Sequence, residues 1–339
     1  MSLNRRDFLK LMGGTAAAVT FPSVLLQGCK KAIQKASERT NVIWLQGQSC
    51  SGCSVSLLNK LDPMIDTVIT EYISLNFHQT LMGGTGHAAV QVLKDAVEKN
   101  RKDFILIVEG SIPTKDDLYC TVGLSDLTHG RPVGVREWVE KLGANAKAVV
   151  AVGSCATFGG IPAAEIRATG DNPTGAKPVS EILKDRTIVN IPGCPPHPDW
   201  MVGTLLHVLL KGEIPPLDQY NRPLMYFGTT VHEKCERLPD YKRGKFAKRW
   251  GDEGCLYLLG CLGMDSGCDI PTRKWVDGAN TCTGSGSGCI GCTEPPFPDY
   301  GKRGLYKHMQ ASMDEILKIE DPQVREAVLN LKKGGVING

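Results

Sequence analysis

Thirteen cysteines, an odd number, stand in a chain of 339 residues. A chain of this length can bury a core without a disulfide framework, so its cysteines point first to metal or cluster ligation. Cys50 and Cys53 form a Cys-x-x-Cys pair. Cys155 stands in Gly153-Ser154-Cys155-Ala156, and Cys194 in Pro192-Gly193-Cys194-Pro195-Pro196. Four thiolates suit zinc or a 4Fe–4S cluster. The first pair alone is as easily a redox dithiol, but two further cysteines would then have no role. The later chain carries two more sets of ligand type: His232-x-x-Cys235 with Cys255 and Cys261, then Cys268, Cys282, Cys289 and Cys292. Two zinc sites, Cys₃His and Cys₄, would use the same residue types, although the spacing in each set is looser than in zinc knuckles.

These residues need elements to position them. Short runs rich in Val and Ile at Val42–Leu45, Thr67–Leu75, Phe104–Val108, Ala148–Val152 and Thr187–Ile191 read as buried parallel strands. Helical patterns at Val55–Leu61, His87–Lys99, Val135–Leu142, Val179–Lys184 and His197–Lys211 alternate with them. Such alternation predicts an α/β domain with a doubly wound parallel sheet. Ligands of open α/β sheets bind at the carboxyl ends of strands. Cys50, Cys53, Cys155 and Cys194 each follow a strand, so they can meet in one crevice. Cys53 also stands where a helix begins, and the helix dipole favours an anion there.

Glu109 closes another strand and reads either as a carboxylate that lines the cluster pocket or relays a proton, or as a turn residue making a local hydrogen bond. Cys120 fits no set and reads as an inert buried thiol. His78 and His87 flank Gly83-Gly84-Thr85-Gly86, a loop with no P-loop lysine that reads as a turn or an interface. After Gly228 periodicity fades while glycine, proline and cysteine crowd in. A second domain over 228–339 would then follow the first over 41–227, and metal coordination would supply much of its folding energy.

The first residues read as an export signal. Asn4-Arg5-Arg6-Asp7-Phe8-Leu9-Lys10 precedes an apolar stretch too short and too interrupted to span a bilayer comfortably. The arginine pair resembles a twin-arginine signal over residues 1–28, with 29–40 a linker. Leu26-Gln27-Gly28-Cys29 resembles a lipobox, which would make Cys29 an acylated N-terminus and attach the protein to the membrane by lipid. The formal charge is only +3, and no basic face interleaved with aromatics appears, so no nucleic-acid partner is expected. A composition 42% hydrophobic and 22% charged excludes a disordered chain.

Taken together the motifs resemble the small subunit of nickel–iron hydrogenases over essentially the whole chain after the signal. The resemblance implies a flavodoxin-like domain with a proximal 4Fe–4S cluster on Cys50, Cys53, Cys155 and Cys194. A small irregular domain would follow, with a distal cluster on His232, Cys235, Cys255 and Cys261. Cys268, Cys289 and Cys292 match the medial set. Many family members have a proline near the position of Cys282 and hold 3Fe–4S there. The thiol found here is similar to the nickel–iron–selenium branch and implies three 4Fe–4S clusters.

The resemblance further implies a periplasmic partner to a large subunit that holds the nickel–iron(–selenium) site. Electrons would pass to an external acceptor such as a cytochrome c. Three other readings stand beside it. The hydrogenase large subunit also has two Cys-x-x-Cys pairs. An iron–sulfur subunit related to respiratory complex I shares the Gly-Ser-Cys and Pro-Gly-Cys-Pro-Pro segments. A zinc-stabilised scaffold would need only the ligand types.

Overall fold

The computed structural model describes residues 39–99, 102–126, 129–165, 170–299 and 319–333. Among them are seven strands: β1 (Thr40–Gln46), β2 (Ile73–His78), β3 (Phe104–Glu109), β4 (Thr121–Leu124), β5 (Pro132–Gly134), β6 (Ala148–Val152) and β7 (Ile188–Ile191). Five of them form one parallel sheet in the order β2-β1-β3-β6-β7, and β4 with β5 makes a small antiparallel pair. Counted within the sheet, this is the 2-1-3-4-5 order of flavodoxin-like folds.

The central strand shows why. All six residues of β3 are buried, and a strand covered on both faces reads as a continuous apolar run. Leu106 and Val108 point into one core with Leu45, Leu93, Val139 and Leu142. Ile105 and Ile107 point into the other with Val42, Trp44, Val152, Ile191 and Trp200. The helices Gly86–Glu98 and Val135–Asn145 cover the first face and Pro198–Lys211 the second.

One predicted strand is shifted. Only Ile73–His78 of that region is extended, while Ile65–Thr67 is helical and Val68–Tyr72 is a turn of π-helix. Parallel neighbours need a crossover between them, and these residues supply part of it. Val68 is buried, and the Thr70 hydroxyl donates back to the Asp66 carbonyl at 2.7 Å. A short β-branched run carries no periodicity that separates the two outcomes. The helix predicted over Val179–Lys184 is a single turn, Val179–Ile182.

Beyond Gly228 the architecture changes. Between Val231 and Arg273 the regular elements are short turns: Val231–Lys234, Leu238–Lys242, Tyr257–Leu259 and Ile270–Arg273. The apolar clusters here are small. One joins Phe246, Cys255 and Leu258 to Ile319, Val324 and Val328, the last two on the helix Pro322–Lys333.

Candidate metal centres

The first set lies at the carboxyl ends of β1, β6 and β7. Cys155 sits in the helix Gly153–Phe158 directly after β6, and Cys194 follows β7. Gly153 must be glycine twice over: its φ is +84°, and a Cβ there would stand 2.4 Å from the Cys53 sulfur. Burial pushes the Cys53 thiol well above its usual range, reinforced by Glu109 and by Cys155, Cys50 and Cys194 nearby. Burial likewise pushes Cys155 up to about 12. Such thiols stay protonated in neutral water, and binding a cation must drive their protons off. Cys50 is exposed.

Glu109, fully buried, is neither free in the crevice nor a simple turn residue. Its carboxylate accepts from Trp44 Nε1 at 3.0 Å, Gln46 Nε2 at 3.2 Å and the Cys53 and Ser54 amides at 3.1 and 3.4 Å. The Ser54 hydroxyl donates to it as well. The helix Gly52–Leu58 has no cap from its own N-cap side chain, so Glu109 satisfies those orphan amides from across the sheet. His78 completes the network. Its Nδ1 accepts from the Thr80 amide at 3.1 Å, which assigns the proton to Nε2, 3.1 Å from the Ser54 hydroxyl. Burial lowers the His78 pKa to about 4, partly opposed by Glu109, so the ring is neutral.

Cys268, Cys282, Cys289 and Cys292 line one cavity of about 250 Å³, with Trp275, Thr281 and Thr283 in its wall and Cys194 at its edge. Burial raises Cys268, and Cys289 to about 12. Behind this set, a buried Arg222 bridges Asp218 and Glu294, each at 2.7 Å. Glu294 also accepts from the Gly267 amide at 2.7 Å, beside Cys268.

His232, Cys235, Cys255 and Cys261 line a narrower cavity with Arg237 and Thr283. His232 is held on its short helix by a capping box between Thr230 and Glu233. Its ring meets Tyr241 edge-on at 4.6 Å, and burial lowers its pKa, keeping the imidazole neutral. Arg237 ties the loops together, donating to the carbonyls of Thr283 at 3.0 Å and Gly254 at 2.6 Å.

The three sets touch in series. Cys194 of the first set lines the cavity of the second beside Cys292, and the Cys289 amide donates to the Cys261 sulfur at 3.2 Å. Cys235 reaches Thr283, the neighbour of Cys282, with 3.6 Å between Sγ and Oγ1. Among the described residues no three His, Cys, Asp or Glu groups gather as they would round one ion. The thiols of the second and third sets each line a cavity, an arrangement that suits a polynuclear cluster. Cys120 packs against the sheet's first core, its thiol raised by burial.

Residues 50–208 match the family profile described as NADH ubiquinone oxidoreductase, 20 Kd subunit. That half alone leaves a respiratory-complex subunit and a hydrogenase subunit equally open. Residues 227–303 match the profile for the C-terminal part of the NiFe/NiFeSe hydrogenase small subunit. The periplasmic [NiFeSe] hydrogenase small subunit of Desulfomicrobium baculatum is 43% identical over 90% of this chain and 99% of its own length. The chain belongs to the NiFe/NiFeSe hydrogenase small subunits.

The hydrogenase-2 small chain of Escherichia coli K12 is 36% identical over 99% of this small subunit and 86% of its own length. A solved structure of the D. baculatum [NiFeSe]-hydrogenase superposes with a TM-score of 0.74, at 43% identity over 80% of this small subunit and 99% of that chain. The resemblance read from the cysteine motifs is thereby borne out: the small subunit relays electrons within an oxidoreductase acting on H₂ and pairs with a large subunit.

Residues 2–22 match a twin-arginine translocation signal, which supports export to the periplasm. Residues 1–28, Cys29 and most of the proposed linker lie outside the described residues. Among the described residues no helix is long and apolar enough to cross a membrane.

Of the groups that hold the sites, the sequence shows Glu109 but not its partners. An acid ending an otherwise apolar strand was the one signal for Glu109. Nothing local pointed to Arg222, whose partner Glu294 is distant in sequence, or to Ser54 and His78 as members of the Glu109 network.

Proposed function

We propose that this small subunit holds three 4Fe–4S clusters and relays electrons between the large subunit's nickel–iron(–selenium) site and an external acceptor such as a periplasmic cytochrome c. Cys50, Cys53, Cys155 and Cys194 would hold the proximal cluster. Cys268, Cys282, Cys289 and Cys292 would hold the medial one, and His232, Cys235, Cys255 and Cys261 the distal one. The domain division at 41–227 and 228–339 follows from these sets. One observation carries the reading: Cys194 of the first set lines the cavity of the second, and Cys289 of the second donates its amide to Cys261 of the third, so the sites form a line. Bound clusters of this type exchange single electrons at potentials set by ligand charge, hydrogen bonding and exposure.

This chain's residues supply those settings. Neutral His232 in place of a thiolate removes a negative charge from the distal set, which raises its potential. Backbone amides aimed at sulfur stabilise the thiolate form at Cys261 (from Cys289), at Cys289 (from Gly291, 3.4 Å) and at Cys235 (from Arg237, 3.4 Å). Exposed Val55 and Leu58 on the helix after Cys53, with Leu61 and Met64 beyond it, give the proximal side an apolar patch for the large subunit. Acylation at Cys29 would add a lipid attachment to the membrane.

Elemental analysis of the anaerobically purified complex, then of this subunit separated from it, tests the reading. About 12 iron atoms belong in this subunit if it holds three 4Fe–4S clusters, and nickel belongs only in the complex. Zinc in place of iron would overturn it.

A further inference from the structure

We infer that Ser154 is a positioning residue that fixes the proximal and medial sites against each other. It neighbours Cys155, yet its side chain serves the other set. Its hydroxyl donates to the carbonyl of Cys292 and accepts from the Gly193 amide at 3.0 Å. Its own amide donates to the Gly193 carbonyl, also at 3.0 Å. One residue thus ties together the turn after β6, the turn after β7 and the Cys289–Cys292 turn, each of which carries proposed ligands. Ser154 is 1% exposed, so water cannot replace the lost bonds.

A plain capping role does not account for this hydroxyl. The helix Gly153–Phe158 begins from Val152 without any side-chain cap, and Ser154 bonds outside its own helix. Its grip on the Cys292 carbonyl holds that residue in the wall of the cavity that Cys194 also lines. The separation of the first two sites then depends on a hydroxyl belonging to neither ligand set. The inference rests on the ligand assignment proposed above.

The test uses the intact heterodimer with the wild-type chain, Ser154→Ala and Ser154→Thr. Three quantities are read: iron content, the magnetic interaction between the reduced proximal and medial clusters, and hydrogen exchange at the Gly193 amide. Ser154→Ala should keep its iron, alter the spin–spin splitting, and speed exchange at Gly193 roughly five- to tenfold, as for one lost buried hydrogen bond. Ser154→Thr retains the hydroxyl and should restore both readouts toward wild type.

An unchanged splitting in Ser154→Ala at full iron content overturns the inference. Loss of iron in Ser154→Ala also overturns it, because the hydroxyl would then retain the cluster and not set a distance. Ser154→Thr behaving like Ser154→Ala overturns it too, since volume and not the hydroxyl would matter. A wild-type complex with no pair of interacting signals refutes the underlying ligand assignment instead, and the exchange readout separates that failure from the others.

Discussion

The sheet region and the cysteine-rich region build their sites from opposite materials. At the proximal set the scaffold comes first: five parallel strands bury apolar runs on both faces, and the cysteines stand on the turns that the strands deliver. Beyond Gly228 the regular structure among the described residues is short turns and one helix, and cysteine sulfur occupies places that leucine or valine would fill elsewhere. Cys255 and Cys268 are themselves buried core side chains. A site on a sheet can be lost without losing the fold. A fold assembled from ligand turns has no such separation.

Stripping the metal is the strongest way to break this comparison. After anaerobic chelation, hydrogen exchange should show the backbone over 228–299 losing protection while β1, β3 and β6 keep theirs, because coordination energy is folding energy where little core exists. Uniform loss across both regions would remove the distinction.

The Arg222→Ala change probes a polar tie that the cysteine-rich region uses in place of a core. It leaves Asp218 and Glu294 with an uncompensated buried charge, a change that costs roughly 3–5 kcal/mol, and the carboxylate at risk lies behind Cys268 and Cys292. A thermal melt followed by cluster absorbance should shift downward accordingly. No shift would mean that the ion pair is not needed.

A smaller effect belongs to the sheet side. His78 is buried neutral with its pKa lowered to about 4 from 6.5, so acid protonates the unfolded chain first. Stability should be intact above pH 7, fall as pH drops through 6.5, and level off below 4. The loss amounts to about 2 kcal/mol at pH 5. Denaturation midpoints between pH 8 and 5 should show this slope in wild type and a shallower one in His78→Gln.

The subtlest prediction is chemical. Cys282→Ser should leave the rest of the chain folded and remove one iron, converting the medial site to 3Fe–4S with a new resonance in the oxidised protein. Absence of that resonance would detach Cys282 from the set.

The parts of the fold legible in sequence follow the same division. The ends of β1, β3, β6 and β7 can be read because buried parallel strands are continuous apolar runs, and the cysteines after them follow at once. The region Thr67–Leu75 is misread because Val68 and Ile69 look alike in a strand and in a crossover turn. Ligand types in the cysteine-rich part are visible as residues and spacings. The groups that orient them are not, because Arg237 reaches Thr283 and Arg222 reaches Glu294 across long stretches of chain with no periodicity to connect them. Glu109 lies between these cases: its place at a strand end is plain, but its donors come from Trp44, Gln46, Cys53 and Ser54.

The helix Pro322–Lys333 presses Val324 and Val328 against Cys255 and its neighbours, and it lies well after Cys261 in the chain. The burial of Cys255 thus depends on a contact made by residues far later in the chain, and a chain ending before Pro322 would leave that side of the sulfur uncovered.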